Sequence, residues 1–111
     1  MRLLFAPRAV KQVDAIYAYI ARENSSTAQE VADRIYEVAE FVAAFPYTGH
    51  ATFIKGVRAI PASPFPYVIY FRRTHDGVHI LRVLHAARRR PALRDEPREY
   101  RADPSFAGAN S

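Results

Sequence analysis

The sequence contains no cysteine and no tryptophan, and only four glycines among its 111 residues. Without cysteine the chain has no disulfide framework, no thiolate nucleophile and no cysteine-ligated zinc site. The glycines, at positions 49, 56, 77 and 108, are too scattered to form the glycine-rich loop of a nucleotide-binding site. No apolar run approaches the length of a signal-peptide core or a membrane span. We therefore expect a cytoplasmic protein that needs no cofactor and contacts no membrane.

Patterns typical of catalytic sites are also scarce. His75 and His79 have the spacing of a helical zinc pair, but the Asp76-Gly77 turn between them keeps them off one helix face. The five serines lie in capping, loop or tail segments, and none lies in the turn that carries a hydrolase nucleophile. The sequence predicts neither a metal site nor a serine hydrolase.

Positive charge is abundant, and it is concentrated in one segment. The net charge is +5, and fourteen of the sixteen cationic residues are arginine. Residues 1–54 carry a net charge of −1, residues 55–94 carry +8, and residues 95–111 carry −2. Arginine suits two-pronged binding of carboxylates and phosphates. The basic segment 55–94 therefore indicates an anionic partner, either nucleic acid or an acidic protein, with a merely solvated basic face as the alternative.

Apolar residues recur every three or four positions in two segments, which predicts two amphipathic helices. The first helix spans about 7–22, and Pro7 suits its first turn. The second starts at a capping box formed by Ser26 and Gln29, and Pro46 with Gly49 ends it. The two apolar stripes are Val10, Val13, Ile16, Tyr17 and Ile20, then Val31, Ile35, Val38, Val42 and Phe45. The short polar turn between the helices predicts an antiparallel hairpin.

Short strands are predicted at residues 2–5, 57–60, 67–73 and 78–85, with a hairpin turn at 75–77. Strict alternation would put Val78, Ile80, Arg82 and Leu84 on one face of the last strand, and His79, Leu81, Val83 and His85 on the other. The fold prediction is an α+β domain over residues 1–90, with an N-terminal strand, a two-helix hairpin and a three-stranded antiparallel meander. Residues 91–111 are expected to form a polar, disordered C-terminal tail.

The two helices do not resemble a DNA-reading pair. The second helix, which would enter the major groove, carries Glu30, Asp33, Glu37 and Glu40 against Arg34. Such a surface would repel phosphates. We expect the helices to be scaffold, without direct sequence-specific DNA binding. The candidates for a site lie in the basic segment instead, where Arg82 and His85 are either structural residues or members of a site.

Several local patterns occur in a fixed order along residues 1–90. They are Ala6-Pro7 with Ala9-Val10, Ile16 with Tyr19-Ile20, Ala28 with Arg34-Ile35, Phe45-Pro46 with Gly49, Gly56-Val57-Arg58, Pro66-Tyr67-Val68-Ile69-Tyr70, and Ile80-Leu81-Arg82-Val83-Leu84-His85-Ala86-Ala87-Arg88. Together they resemble the RelE/ParE superfamily of toxins from bacterial type II toxin-antitoxin modules. The fold of that superfamily agrees with the one predicted above.

The resemblance implies one of two activities. The RelE-like branch cleaves messenger RNA on the ribosome without a metal, using cations along the sheet and a Tyr or His near the C-terminus. Arg58 matches one of these cations, and Arg88 or Arg89 matches the basic pair after the last strand. Ile60 and Tyr67, however, stand where two further cations are expected.

The last strand, ending Arg82-Val83-Leu84-His85, looks more like the ParE branch, whose members poison DNA gyrase. We therefore expect a ParE-like toxin that inhibits DNA gyrase through a protein interface, without catalysis of its own. The expected partner is an antitoxin with a DNA-binding N-terminus and an acidic C-terminal segment, bound in a hetero-oligomer. The alternatives are an endoribonuclease of the RelE type and a non-toxic member that only binds its antitoxin. The candidate toxicity or target-binding residues are Arg58, Tyr67, Arg82, His85, Arg88 and Arg89.

Overall fold

A computed structural model describes residues 1–87, and it confirms the predicted α+β architecture. The helices are α1 (Pro7–Ala21) and α2 (Ser25–Ala44). The strands are β1 (Leu3–Phe5), β2 (His50–Ala51), β3 (Val57–Pro61), β4 (Tyr67–Thr74) and β5 (Gly77–His85). Arg88, Arg89 and the predicted tail 91–111 lie outside the described residues.

The five strands form one sheet in the order β1-β5-β4-β3-β2. β1 runs parallel to β5, and the other neighbours are antiparallel. The predicted meander corresponds to β3, β4 and β5. β2 was not predicted because two residues are too few to show alternation, and its pairing of His50 with Ala59 places it at the sheet edge. Within residues 1–87, no helix is both long and apolar enough to cross a membrane.

The start of α2 differs from the prediction. The N-cap is Asn24, whose side-chain oxygen accepts a hydrogen bond from the Thr27 backbone N–H at 2.9 Å. Ser26 already lies inside the helix, and Gln29 donates to Asp33 at 2.8 Å. The predicted capping box is therefore wrong, because the residue two positions earlier has the extended backbone that a cap requires.

Replacing the observed cap should destabilise the domain. Asn24→Ala removes the acceptor for the Thr27 N–H and is expected to lower the free energy of unfolding by about 1 kcal/mol. Ser26→Ala is the matched control and should change it by less than about 0.5 kcal/mol, since an exposed helical serine has no capping role. Urea unfolding followed by circular dichroism measures both. Equal losses for the two variants would contradict the assignment of the cap.

One face of the sheet packs against both helices and forms the main core. Its centre includes Ile35, Val42, Ile69, Phe71 and Ile80, all of them fully buried. The opposite sheet face carries a smaller apolar cluster of Ile54, Val57, Ala59, Val68, Tyr70 and Leu84. The α2 stripe is buried as predicted up to Val42, but Phe45 is 58% exposed because it lies at the C-cap of the helix.

A β-bulge in β5 changes which residues share a face. Tyr70 pairs with Arg82 and the next residue, Phe71, pairs with Ile80, so Leu81 is an extra residue in β5. The predicted grouping of Val78, Ile80, Arg82 and Leu84 is therefore wrong. Val78 and Ile80 face the helices together with Val83, whereas Leu84 belongs to the opposite cluster, and Arg82 lies beside Tyr70 of that cluster. An inserted residue of this kind breaks the two-residue period of a strand.

Candidate functional site

Two of the predicted site residues, Tyr67 and His85, meet where β5 ends. They are direct partners in the β4–β5 ladder, and their rings make an edge-to-face contact with centroids 5.4 Å apart. Tyr67 also packs against the main core. Its pKa is raised above the usual 10 because partial burial disfavours the phenolate, and the nearby Tyr19 phenol adds to the effect. Tyr67 therefore stays protonated across the physiological pH range.

The backbone that follows β5 determines which nitrogen of the neutral His85 ring carries the proton. The Ala87 backbone N–H donates to His85 Nδ1 at 3.1 Å. A ring nitrogen that accepts a hydrogen bond carries no proton, so the proton of the neutral ring lies on Nε2. This end of the sheet therefore offers a phenol, an imidazole N–H and two aromatic surfaces.

Arg58 is held by the turn between α2 and β2. Its Nε donates to the Thr48 carbonyl at 3.0 Å, and its Nη2 donates to the carbonyls of Gly49 at 2.9 Å and Tyr47 at 3.3 Å. Arg58 pairs with Phe71, four residues along β4 from Tyr67, which corresponds to roughly 13 Å along the strand. The structure does not bring Arg58 to the Tyr67–His85 pair.

Arg82 is also separated from that pair. Only 2% of its surface is exposed, and it lies beside Tyr70 on the sheet face opposite the helices. His85 points to the helix side, where it contacts Tyr67. Arg82 and His85 are three residues apart in the regular part of β5, so alternation puts them on opposite faces, as the sequence predicted. Of the six predicted residues, the structure brings together two and places two elsewhere, while Arg88 and Arg89 lie outside the described residues.

A second surface, which the sequence analysis missed, lies at the opposite end of the sheet. The guanidinium of Arg73 sits 4.3 Å from the ring centroid of Tyr47, which is 71% exposed. Phe53 and Lys55 lie in the exposed loop between β2 and β3, whose register brings it beside Arg72 and Arg73. We call this surface, made of Tyr47, Phe53, Lys55 and Arg73, the basic end. The sequence indicates this surface only through Tyr47, an aromatic residue in the turn between Pro46 and Gly49.

Asp76, a carboxylate close to Arg73 in the chain, is used by the β4–β5 turn. Asp76 accepts hydrogen bonds from the Thr74 hydroxyl and from His79 Nε2, the latter at 3.0 Å. These bonds, the Thr74 one first, lower the pKa of Asp76 to about 2. Asp76 therefore stays ionised at neutral pH, and its carboxylate is occupied by hydrogen bonds from Thr74 and His79. Among residues 1–87, no group of three or more His, Asp or Glu side chains is placed to hold a metal ion.

Comparison with known proteins agrees with this fold. The family model described as "ParE toxin of type II toxin-antitoxin system, parDE" matches residues 3–90. The "Putative toxin Y4kP" of Sinorhizobium fredii is 33% identical over 92 residues, covering 83% of this chain and 95% of that protein. "Toxin RelE2" of Caulobacter vibrioides is 35% identical over 81 residues, covering 73% of this chain and 90% of that protein.

A solved structure is similar as well. A chain of the chromosomal ParDE toxin-antitoxin system of P. aeruginosa matches with a TM-score of 0.68 and 25% identity, over 77% of this chain and 95% of that one. The matched region contains both ends of the sheet described above, since the family model begins at Leu3 and extends past His85. The chain therefore belongs to the ParE toxin family of type II toxin-antitoxin systems.

Proposed function

We propose that this toxin inhibits DNA gyrase through a protein interface and is neutralised by a cognate antitoxin. The antitoxin would carry a DNA-binding N-terminus and an acidic C-terminal segment, and would form a hetero-oligomer with the toxin. The basic segment 55–94 supports this partner because arginine–carboxylate pairs are strong when they are partly shielded from water.

The main support for this proposal comes from the residues that stand where an RNA-cleaving site needs cations. Cleavage of RNA builds negative charge on a phosphorane, which cations must offset. Arg58 is instead tied to three backbone carbonyls, and Ile60 packs on the main core. Tyr67, where a third cation is expected, is a partly buried phenol. Within residues 1–87, the arrangement therefore suits an aromatic contact surface better than a phosphate site.

Gyrase itself provides the test. Purified toxin should slow supercoiling and stabilise complexes of gyrase with cleaved DNA. Tyr67→Ala should raise the half-inhibitory concentration about tenfold or more, because a buried aromatic anchor commonly contributes about 2 kcal/mol to an interface. Tyr17→Ala is the matched control: this tyrosine of α1 is 37% exposed although it belongs to the predicted apolar stripe, and its replacement should leave inhibition unchanged. No effect on supercoiling or cleavage at any dose would contradict the proposal.

A second candidate is a ribosome-dependent endoribonuclease, and one observation favours it. The His85 ring contacts Tyr67 and accepts the Ala87 N–H at Nδ1, which leaves Nε2 to carry a proton, and such a group could protonate a leaving oxygen. Primer extension on translated messenger RNA after induction separates the two functions. Prompt codon-linked cuts that disappear in His85→Ala would support the nuclease, whereas intact transcripts with a DNA-damage response would support gyrase. Normal growth with folded toxin would support a non-toxic member.

A further inference from the structure

Tyr47 is an exposed aromatic residue that the surrounding turn holds rigidly. Its carbonyl accepts from Arg58 Nη2 at 3.3 Å, and the next residue, Thr48, donates its backbone N–H to the Phe45 carbonyl at 3.1 Å. Gly49 packs so closely on β3 that a Cβ there would lie 2.5 Å from the Ala59 carbonyl oxygen. The ring is 71% exposed although its backbone is fixed on both sides. A contact residue that is already ordered loses little entropy when it binds a ligand.

Arg73 gives this ring a cationic neighbour. Its guanidinium carbon lies 4.3 Å from the Tyr47 ring centroid, within the range of a cation–π interaction. Arg73 is itself exposed, as is most of the Tyr47 ring. A flat ligand group can therefore stack on Tyr47 while an anionic group attached to it meets Arg73.

The rest of the basic end extends this surface. Phe53 supplies a second aromatic side chain that is 58% exposed, and Lys55 supplies an exposed cation. The carboxylate of Asp76, three residues from Arg73, is bound by Thr74 and His79. The surface thus combines exposed aromatic rings with a local excess of positive charge.

We infer that the basic end binds single-stranded DNA, with bases stacked on Tyr47 and Phe53 and phosphates near Arg73 and Lys55. Aromatic rings set among cations suit unpaired bases, because every base has a stacking face while a duplex buries those faces. An acidic peptide would use the cations but would leave the two rings without flat partners. The choice of DNA over RNA rests on the proposed function, since gyrase acts on DNA.

Fluorescence anisotropy of the full chain with a labelled oligothymidylate of about 20 nucleotides tests the inference. Tyr47→Ala should weaken binding about tenfold, and Tyr47→Phe should bind as the wild type does, because the ring supplies the stacking. Lys55→Gln should weaken binding and flatten its salt dependence. The matched controls are Tyr17→Ala and Lys11→Gln, exposed residues of α1, and both should bind normally. Thermal unfolding checks that each variant is folded.

Four results would overturn the inference. They are wild-type affinity in a folded Tyr47→Ala, equal affinity for duplex and single strand, tighter binding to oligouridylate of the same length than to oligothymidylate, and displacement of the DNA by polyglutamate at equal charge concentration. Gyrase is not added in any of these measurements, so they are independent of the proposed function. Inhibition of gyrase without any DNA binding would overturn this inference alone, and DNA binding without inhibition would overturn the proposed function alone.

Discussion

Replacing Gly49 by alanine is expected to lower the free energy of unfolding by about 3 kcal/mol, through left-handed strain and overpacking. Gly49 has a φ of 75°, a backbone conformation that side-chain-bearing residues rarely adopt. Its added Cβ would lie 2.5 Å from the carbonyl oxygen of Ala59. That oxygen belongs to β3 at its pairing with β2, so it cannot move without disturbing the sheet edge. Urea unfolding of the variant measures the loss.

Gly56 offers a control that separates the two causes. Its φ of 82° is nearly the same, but a Cβ there would meet only Arg72 Nε, at 3.8 Å. Gly56→Ala should therefore show the backbone strain alone, a loss of about 1 kcal/mol. The difference between the two variants isolates the close contact with Ala59. Equal losses would show that this contact is relieved without cost.

Gln12→Leu removes a side-chain acceptor and is expected to lower the free energy of unfolding by about 2 kcal/mol. Gln12 lies on α1, and its Oε1 accepts a hydrogen bond from the Val83 backbone N–H at 2.7 Å. β1 pairs with β5 only from Val78 to Ile80, so Val83 lies beyond the end of that neighbour strand. Val83 is 1% exposed, and Gln12→Leu would leave its N–H buried without the acceptor that α1 now provides.

Gln12→Glu is the variant that keeps an oxygen acceptor at the same distance from the backbone. It should retain most of the stability at neutral pH, because a carboxylate accepts the same Val83 hydrogen bond. Chemical denaturation and amide hydrogen exchange at Val83 measure the effect on the domain and on the bond. A Gln12→Leu protein as stable as the wild type, with an equally protected Val83 amide, would contradict the prediction.

The parts of the fold that the sequence predicted correctly depend on local pattern. Val31, Ile35, Val38 and Val42 repeat with the period of a helix and are all buried in α2. The β-rich segments around Ile69 and Ile80 were recognised because branched and aromatic residues dominate them. In these elements the residues that form the pattern are also those that pack, so propensity and tertiary structure agree.

The errors arise where contacts distant in the sequence decide the structure. Arg58 looked like a free cation, and only the folded turn shows that it binds the carbonyls of residues 47–49. The N-cap of α2 is determined by the extended backbone at Asn24. Ser26 and Gln29 have the spacing of a capping box, but spacing alone does not reveal that backbone conformation. The bulge at Leu81 has no sequence signature, since every residue around it suits a strand. The faces of Arg82 and His85 were therefore predicted by strict alternation, which the bulge interrupts just before Arg82.

The bulge at Leu81 also constrains how this chain can vary in length. Deletion of Leu81 would restore the regular two-residue period of β5, and the pairing of residues 82–85 with β4 would stay as it is. His85 would still meet Tyr67, and Arg82 would still lie beside Tyr70 on the face opposite the helices. Relatives that keep both ends of this sheet should therefore tolerate loss of the residue at Leu81 more readily than a deletion among residues 82–85, which would move later side chains to the other face.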